Sequence, residues 1–326
     1  MIINFFETDS IISSLCHHFS IAQSLFYCAL ESMDPVHESA IELVKKIGID
    51  LCTCTDELEL VCRHITTCND SLHSIKSNGL LTLDQVLCKD TPLNSFLSKF
   101  GISIIASEHR MTIQSKSFYI NGYDEPCSPC AFGKSVETDN NQSVPFYNCC
   151  GFHQKMARLN SKLYHDKSEV EVYVTGSNER MLQNYTSILD GPEILQTIGE
   201  IISTIWKKTD ERHLQFAWSK QKGMKRYILE FSLPLNAIET NTDHKYKAEY
   251  YDNSEWYEYS GFDYYDYNSG QIPMEFYRNK MLMELCFNSL FFPEENCYCQ
   301  VLPYFHISPE MINVHKESIM IHTPQS

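Results

Sequence analysis

A chain of 326 residues with 43% hydrophobic and 21% charged side chains holds enough apolar material for a folded core and does not have the composition of a disordered segment. Forty-two acidic residues against 26 basic ones give a formal charge of −16, which repels an extended phosphate backbone but leaves recognition of an end or a loop open. Fourteen cysteines in a chain this long, with no recognisable export signal, read as cytoplasmic thiols and metal ligands rather than a disulfide framework.

Met1 to Leu30 is apolar in patches, but Glu7, Asp9, His17 and His18 interrupt it, so it reads as neither a signal peptide nor a membrane span. Ile12, Leu15, Ile21 and Leu25, then Ala40, Leu43, Val44 and Ile47, recur at spacings near three and four. This predicts two or three amphipathic helices around Asp34-Pro35, a helical leader over residues 1–60.

From Leu60 to Ile65 the pattern becomes a short apolar strand running into the polar Thr66-Thr67-Cys68-Asn69-Asp70. Asn69 or Asp70 can accept from the free amides of a helix starting near Ser71, and Gly79 can close that helix in the left-handed conformation. Residues 121–153 are rich in Gly, Pro, Asn, Ser and Cys without periodicity, a loop-like insertion in need of some other source of order.

Beyond it, Val170 to Val174 alternates as a strand, Ile194 to Trp206 is helical in pattern, and Tyr227 to Phe231 is a second clear strand. The Tyr-, Asp- and Glu-dense stretch 246–270 carries almost no aliphatic side chain and reads as an acidic solvated loop. Ile272 to Leu290 predicts a helix, and Cys299 to Ile307 a closing strand. Helices and strands in irregular order give an α+β fold, with residues 61–326 as the main domain.

Within the insertion, Cys127-Ser-Pro-Cys130 and Cys150-Gly-Phe-His153 are two ligand pairs, each with two residues between its members. A tight turn of that length aims both donors at one ion, thiolate and imidazole suit tetrahedral zinc, and four filled positions make the site structural rather than catalytic. Cys149 can stand in for Cys150.

The segment Arg63-His64-Ile65-Thr66-Thr67-Cys68-Asn69, followed by Ile75 and Asn78-Gly79-Leu80, resembles the opening motif of ADP-ribosyltransferases, particularly the DNA-modifying DarT toxins and the RNA 2′-phosphotransferases. In those families a His-x-Thr strand end, a short helix and a Gly-Leu turn frame the nicotinamide side of NAD. His165-Asp166 through Val170–Thr175 to Arg180-Met181-Leu182 is similar to the DarT strand and its Arg-bearing segment. Gln300-Val301-Leu302 through Ile312 resembles the last strand of the fold, where many members begin with the catalytic glutamate. Here Gln300 stands at the aligned position, with Glu294 and Glu295 a few residues earlier, so either Glu295 supplies the carboxylate through a shifted register or the site lacks it.

The resemblance implies a split-sheet transferase core with NAD as substrate, and the residues fit the chemistry it needs. Breaking the NAD glycosidic bond creates a cationic ribose, which calls for hydroxyl and imidazole groups on the ribose and a carboxylate facing the charge. His64 and Thr66 lie two apart on one strand face, and the following turn can bring Thr67 and Asn69 round. Gly79 frames the pocket, Arg180 can pair with pyrophosphate or acceptor, Tyr173 can stack on nicotinamide, and Glu295 is the candidate carboxylate.

The expected function is transfer of ADP-ribose to a macromolecule, protein or nucleic acid, by a toxin or anti-phage effector that a partner antitoxin could neutralise. The phosphotransferase reading needs basic residues around the pocket, which are few. The alternative of a different class is a non-enzymatic, zinc-stabilised binding module with a transferase-like fold, in which Gln300 marks lost catalysis.

Overall fold

The computed structural model describes residues 1–106, 110–114, 119–123, 135–137, 143–145, 155, 159–160, 162–164, 170–184, 191–206, 213–239 and 253–319. The fold is mixed α+β with a mostly antiparallel sheet. Strands β1 (Ile2–Ile3), β2 (Glu59–Cys68), β8 (Val170–Tyr173), β9 (Lys225–Pro234), β10 (Tyr298–Val301) and β11 (Asn313–Ile319) form the principal sheet in the order β10-β8-β2-β9-β11, with β1 parallel to β2. Strands β3 (Ser103–Ala106), β4 (Arg110–Gln114) and β5 (Tyr119–Tyr123) form a separate antiparallel meander, and β6 (Ser135–Glu137) pairs with β7 (Ser143–Pro145). No described helix is long and apolar enough to cross a membrane.

The chain divides into two compact units. The first takes Met1–His64, Glu171–Met181 and Glu230–Leu302; the second takes Ile65–Val170, Leu182–Leu229 and Pro303–Ser326. The expected division into a 1–60 leader and a 61–326 domain therefore differs from the observed packing, because the opening helices share a core with residues 230–302.

In the first unit, α1 (Thr8–His18), α2 (Gln23–Glu31) and α3 (Ala40–Ile47) arise where the apolar spacing predicts helix. The Glu42 carboxylate accepts from the Ser39 backbone and hydroxyl at the start of α3, and Gly48 ends it at φ +77°, a left-handed turn that favours glycine. Ala40, Leu43, Val44 and Ile47 are buried, as their spacing requires.

The stretch expected to be an acidic loop over 246–270 is helical in its described part, as α10 (Ser254–Tyr259) and α11 (Tyr264–Ser269). Aromatic rings replace the missing aliphatic anchors. Trp256 and Tyr257 are buried, and Tyr257 stacks on Phe276 at 5.2 Å.

Phe276 lies on α12 (Met274–Phe291), the expected long helix, which buries Asn279 completely. The Asn279 amide donates to the carbonyls of Leu51 and Thr53 at 2.9 and 2.8 Å, while its oxygen faces His18 Nε2 at 2.8 Å. With both amide hydrogens committed, the oxygen must accept and His18 must donate.

The second unit packs around Trp218, 1% exposed, on α9 (His213–Ser219). Phe96 meets the indole edge-on at 5.2 Å from α6 (Pro92–Lys99), which follows α4 (His73–Asn78) and α5 (Leu83–Cys88). Leu195, Ile198 and Ile201 reach the same core from α8 (Glu193–Trp206).

Four sequence expectations shift in position. The first strand runs on through Cys68, and the helix after it starts at His73 because Ser71 and Leu72 adopt φ of +57° and +65°. The closing strand ends at Val301, two residues before Pro303, and Ile307 keeps only an isolated bridge to Leu80. Part of the unpatterned insertion is strand, as β5, β6 and β7. Cys127, Cys130, Cys149, Cys150 and His153 lie outside the described residues.

Candidate functional site

The residues expected to bind nucleotide are divided between the units. His64, Tyr173, Arg180 and Glu295 belong to the first; Thr66, Thr67, Asn69 and Gly79 to the second.

His64 is half-buried on β2, and its Nδ1 lies 3.0 Å from the Glu171 carbonyl on β8. A carbonyl can only accept, so Nδ1 carries the proton and Nε2 presents its lone pair. Burial lowers the imidazole below its ordinary 6.5, the Glu171 carbonyl opposing the shift. Nε2 has no partner among the described residues. The group is therefore a neutral, oriented acceptor.

The other face of β2 is fully committed. Arg63 is buried, with Nε and Nη2 both 2.8 Å from Glu230 Oε2, Nη1 donating to Asn178 Oδ1 at 3.2 Å, and its guanidinium 4.0 Å from the Phe6 ring centre. Asn178 opens α7 (Asn178–Asn184), the helix that carries Arg180, whose side chain lies outside what is described.

Arg63 stands directly opposite Tyr173 in the antiparallel register of β2 and β8, so these two side chains share a face. Tyr173 therefore lies on the face of the sheet opposite His64. Burial pushes the Tyr173 hydroxyl above its ordinary range.

The exit of β8 is laced to the approach of β10. Val174 N donates to the Cys297 carbonyl at 3.0 Å, Cys297 N to Thr175 Oγ1 at 3.0 Å, and Thr175 Oγ1 to the Glu295 carbonyl at 3.1 Å. Between them Gly176, at φ +109°, lies so close to Asn296 that a Cβ would sit 1.9 Å from its amide oxygen. Neither polar atom of that buried amide is hydrogen-bonded among the described residues.

This lacing separates the three candidate carboxylate positions. Glu294 accepts from Ser177 Oγ at 3.0 Å, whereas Glu295 is exposed and its carboxylate has no partner among the described residues. Gln300 lies within β10.

In the second unit, the strand end is held by its own residues. Thr67 is buried and accepts from Trp218 Nε1 at 3.1 Å, which makes it a core anchor. Asn69 Nδ2 donates to Gln221 Oε1 at 3.2 Å. Asp70 Oδ2 accepts from Ser74 N at 2.9 Å. Burial works to raise the Asp70 carboxyl, but hydrogen bonds led by those of Ser74 outweigh it and hold the group below its ordinary value. The Cys68 thiol beside it is pushed up to about 12, chiefly by burial.

Gly79 adopts φ +75°, ψ −166°, a region almost closed to other residues rather than the expected left-handed one. A Cβ there would lie 2.1 Å from the Ile307 carbonyl, which accepts from Leu80 N. Its glycine is explained by backbone approach. Thr66 is half-buried, and its hydroxyl makes no hydrogen bond among the described residues; strand alternation puts it on the His64 face of β2.

The sequence reading passed over the Arg63–Glu230–Asn178 network and the Thr175 link. Glu230 gave a signal, being a carboxylate inside an otherwise apolar strand. Among the described residues no cluster of His, Cys, Asp and Glu could hold a metal. No protein-family model, no curated protein and no solved structure matches the chain.

Proposed function

We propose that this chain is an NAD-dependent ADP-ribosyltransferase acting on a macromolecule. The observation that carries the reading is the state of His64: neutral, fixed at Nδ1 by the Glu171 carbonyl, with Nε2 unpartnered among the described residues. Such an imidazole suits a ribose hydroxyl, from which it can accept.

In the transfer, the bond between nicotinamide N1 and ribose C1′ breaks and nicotinamide leaves as a neutral molecule. An acceptor oxygen or nitrogen forms the new bond to C1′ and gives up its proton. Glu295 takes the carboxylate role, stabilising the cationic ribose and receiving that proton, because Glu294 is tied to Ser177 and Gln300 carries no carboxylate. A toxin or defence effector is the biological setting that the resemblance favours. By sequence spacing, Cys127, Cys130, Cys150 and His153 would hold one structural zinc ion, which would supply folding energy to the insertion and no step of the transfer.

The test is transfer of label from NAD labelled on its adenylate to protein, RNA and DNA fractions of a cell extract, with zinc content measured on the same preparation. Label should enter one fraction and disappear with His64→Ala. Glu295→Gln should lower transfer by about 100-fold or more, the scale of losing one transition-state group, and Glu294→Gln far less. Neither transfer nor NAD loss by folded, metal-loaded protein would replace the enzyme with a non-enzymatic binding module.

A further inference from the structure

Sheet margins in this chain are guarded unequally. At β10 the outer edge is covered: Ile238 bridges to Val301, and the Glu239 N–H donates to the Gln300 carbonyl at 2.8 Å. β11, at the other end of the principal sheet, carries the exposed Lys316, a charge that deters pairing. β3 has neither protection. It bonds to β4 alone, with Ile104 opposite Ile113 and Ile105 opposite Thr112, and no hydrogen bond reaches its other edge among the described residues. Ser103-Ile104-Ile105-Ala106 carries no charge and no proline. Ile104 and Ala106 pack on the core of the second unit, whereas Ser103 and Ile105 face solvent, and Ile105 is 65% exposed. Antiparallel strands bond on alternate residues, so half of β3 turns its N–H and C=O groups away from β4. A row of such groups selects its occupant by geometry, because another extended strand is what satisfies them in sequence.

We propose that β3 pairs antiparallel with β3 of a second copy of this chain, joining the two meanders into one continuous sheet. Two features favour a second copy. A two-fold axis through Ile105, perpendicular to the sheet, keeps the core-facing residues of both copies on one side and sets Ile104 of each opposite Ala106 of the other. On the solvent side it brings the two exposed isoleucines together, and a β-branched cross-strand pair covers what each leaves bare. Charge is the second feature. Two chains of formal charge −16 repel, and an uncharged edge lets them meet without setting carboxylate against carboxylate. The contact is small beside the roughly 1,000 Å² of a stable interface, so the dimer should be weak, dissociating at about 10–200 µM. The surface is independent of the NAD reading and is tested without NAD.

The experiment is sedimentation velocity of the whole chain over a series from about 1 to 500 µM, with hydrogen exchange measured at both ends of the series. The weight-average mass should climb toward that of a dimer. The peptide covering residues 101–106 should exchange at least about threefold more slowly at the high concentration, and peptides from α12 should not change. Ile105→Lys places on this edge the charge that guarded edges carry, and should weaken association at least about tenfold. Ile105→Val keeps a β-branched side chain and should stay within about threefold of wild type. Both substitutions fall at a solvent-facing position, so circular dichroism and melting temperature at about 1 µM should match wild type. A monomeric mass throughout the series overturns the self-pairing and leaves the edge to a strand of another protein. Dimer formed equally well by Ile105→Lys, or formed without slower exchange in 101–106, puts the contact on another surface and overturns it too.

Discussion

Asn279→Leu removes the hub of the first unit while nearly preserving its volume. Three hydrogen bonds go: from the amide to the Leu51 and Thr53 carbonyls, and from His18 to the amide oxygen. The Leu51 bond is buried, so its orphaned carbonyl carries close to the full desolvation cost; the other two bonds are part-buried and partly recover water. At about 2–3 kcal/mol for the first and about 1 for each of the others, the loss is roughly 4–5 kcal/mol. Native-state hydrogen exchange, read on peptides from α12 and from residues 50–55, isolates this unit from the second. A loss of that size speeds exchange there by about 1,000- to 5,000-fold where opening is at equilibrium. Asn279→Asp should do at least as much harm at neutral pH, because a carboxylate oxygen then faces two carbonyl oxygens. A change under about 1 kcal/mol in Asn279→Leu, or a mild Asn279→Asp, would refute the claim that this amide ties α1, α12 and the 51–53 loop together.

Thr67→Val strands the Trp218 N–H in the second core and should cost about 1–3 kcal/mol in urea unfolding, Thr67→Ser much less, and adding Trp218→Phe to Thr67→Val should show the two coupled. Gly79→Ala forces a Cβ against the Ile307 carbonyl at a glycine-only backbone angle; a loss of about 2–4 kcal/mol is expected, and a neutral result would mean that this backbone contact is absent in solution. His18 and His64 both titrate below their ordinary 6.5 when folded, chiefly through burial, so the unfolded chain binds more protons just below that pH. Stability should be full above pH 6.5 and fall as pH drops toward the folded values, and His64→Gln should remove part of that slope in a pH series of urea midpoints.

Elements with strong periodicity were legible: α3, the 193–206 helix and the cores of β2 and β9 follow from the spacing of apolar residues alone. The 254–269 helices were not, because hydropathy patterns count aliphatic side chains, whereas here Trp256 and Tyr257 bury aromatic area. The candidate site was legible along one strand and no further. His64 and Thr66 share a face because strands alternate, but whether Tyr173 joins them depends on register with a strand more than a hundred residues away, which nothing local encodes. Gly79 and Thr67 show the reverse limit. Both stand in a motif that resembles a nucleotide site, yet a close carbonyl and an indole N–H explain why each residue is there.

The interleaving of the two units sets an order of events during synthesis. Met1–His64 emerges early, but its packing partners in Glu230–Leu302 are made more than 160 residues later. At about 5–20 residues per second the apolar faces of α1, α2 and α3 stay uncovered for roughly 10–50 s. Those uncovered faces are prone to aggregation, and residues 1–64 expressed alone should be insoluble. Supplying residues 230–302 as a second polypeptide in the same cell is the rescue to try.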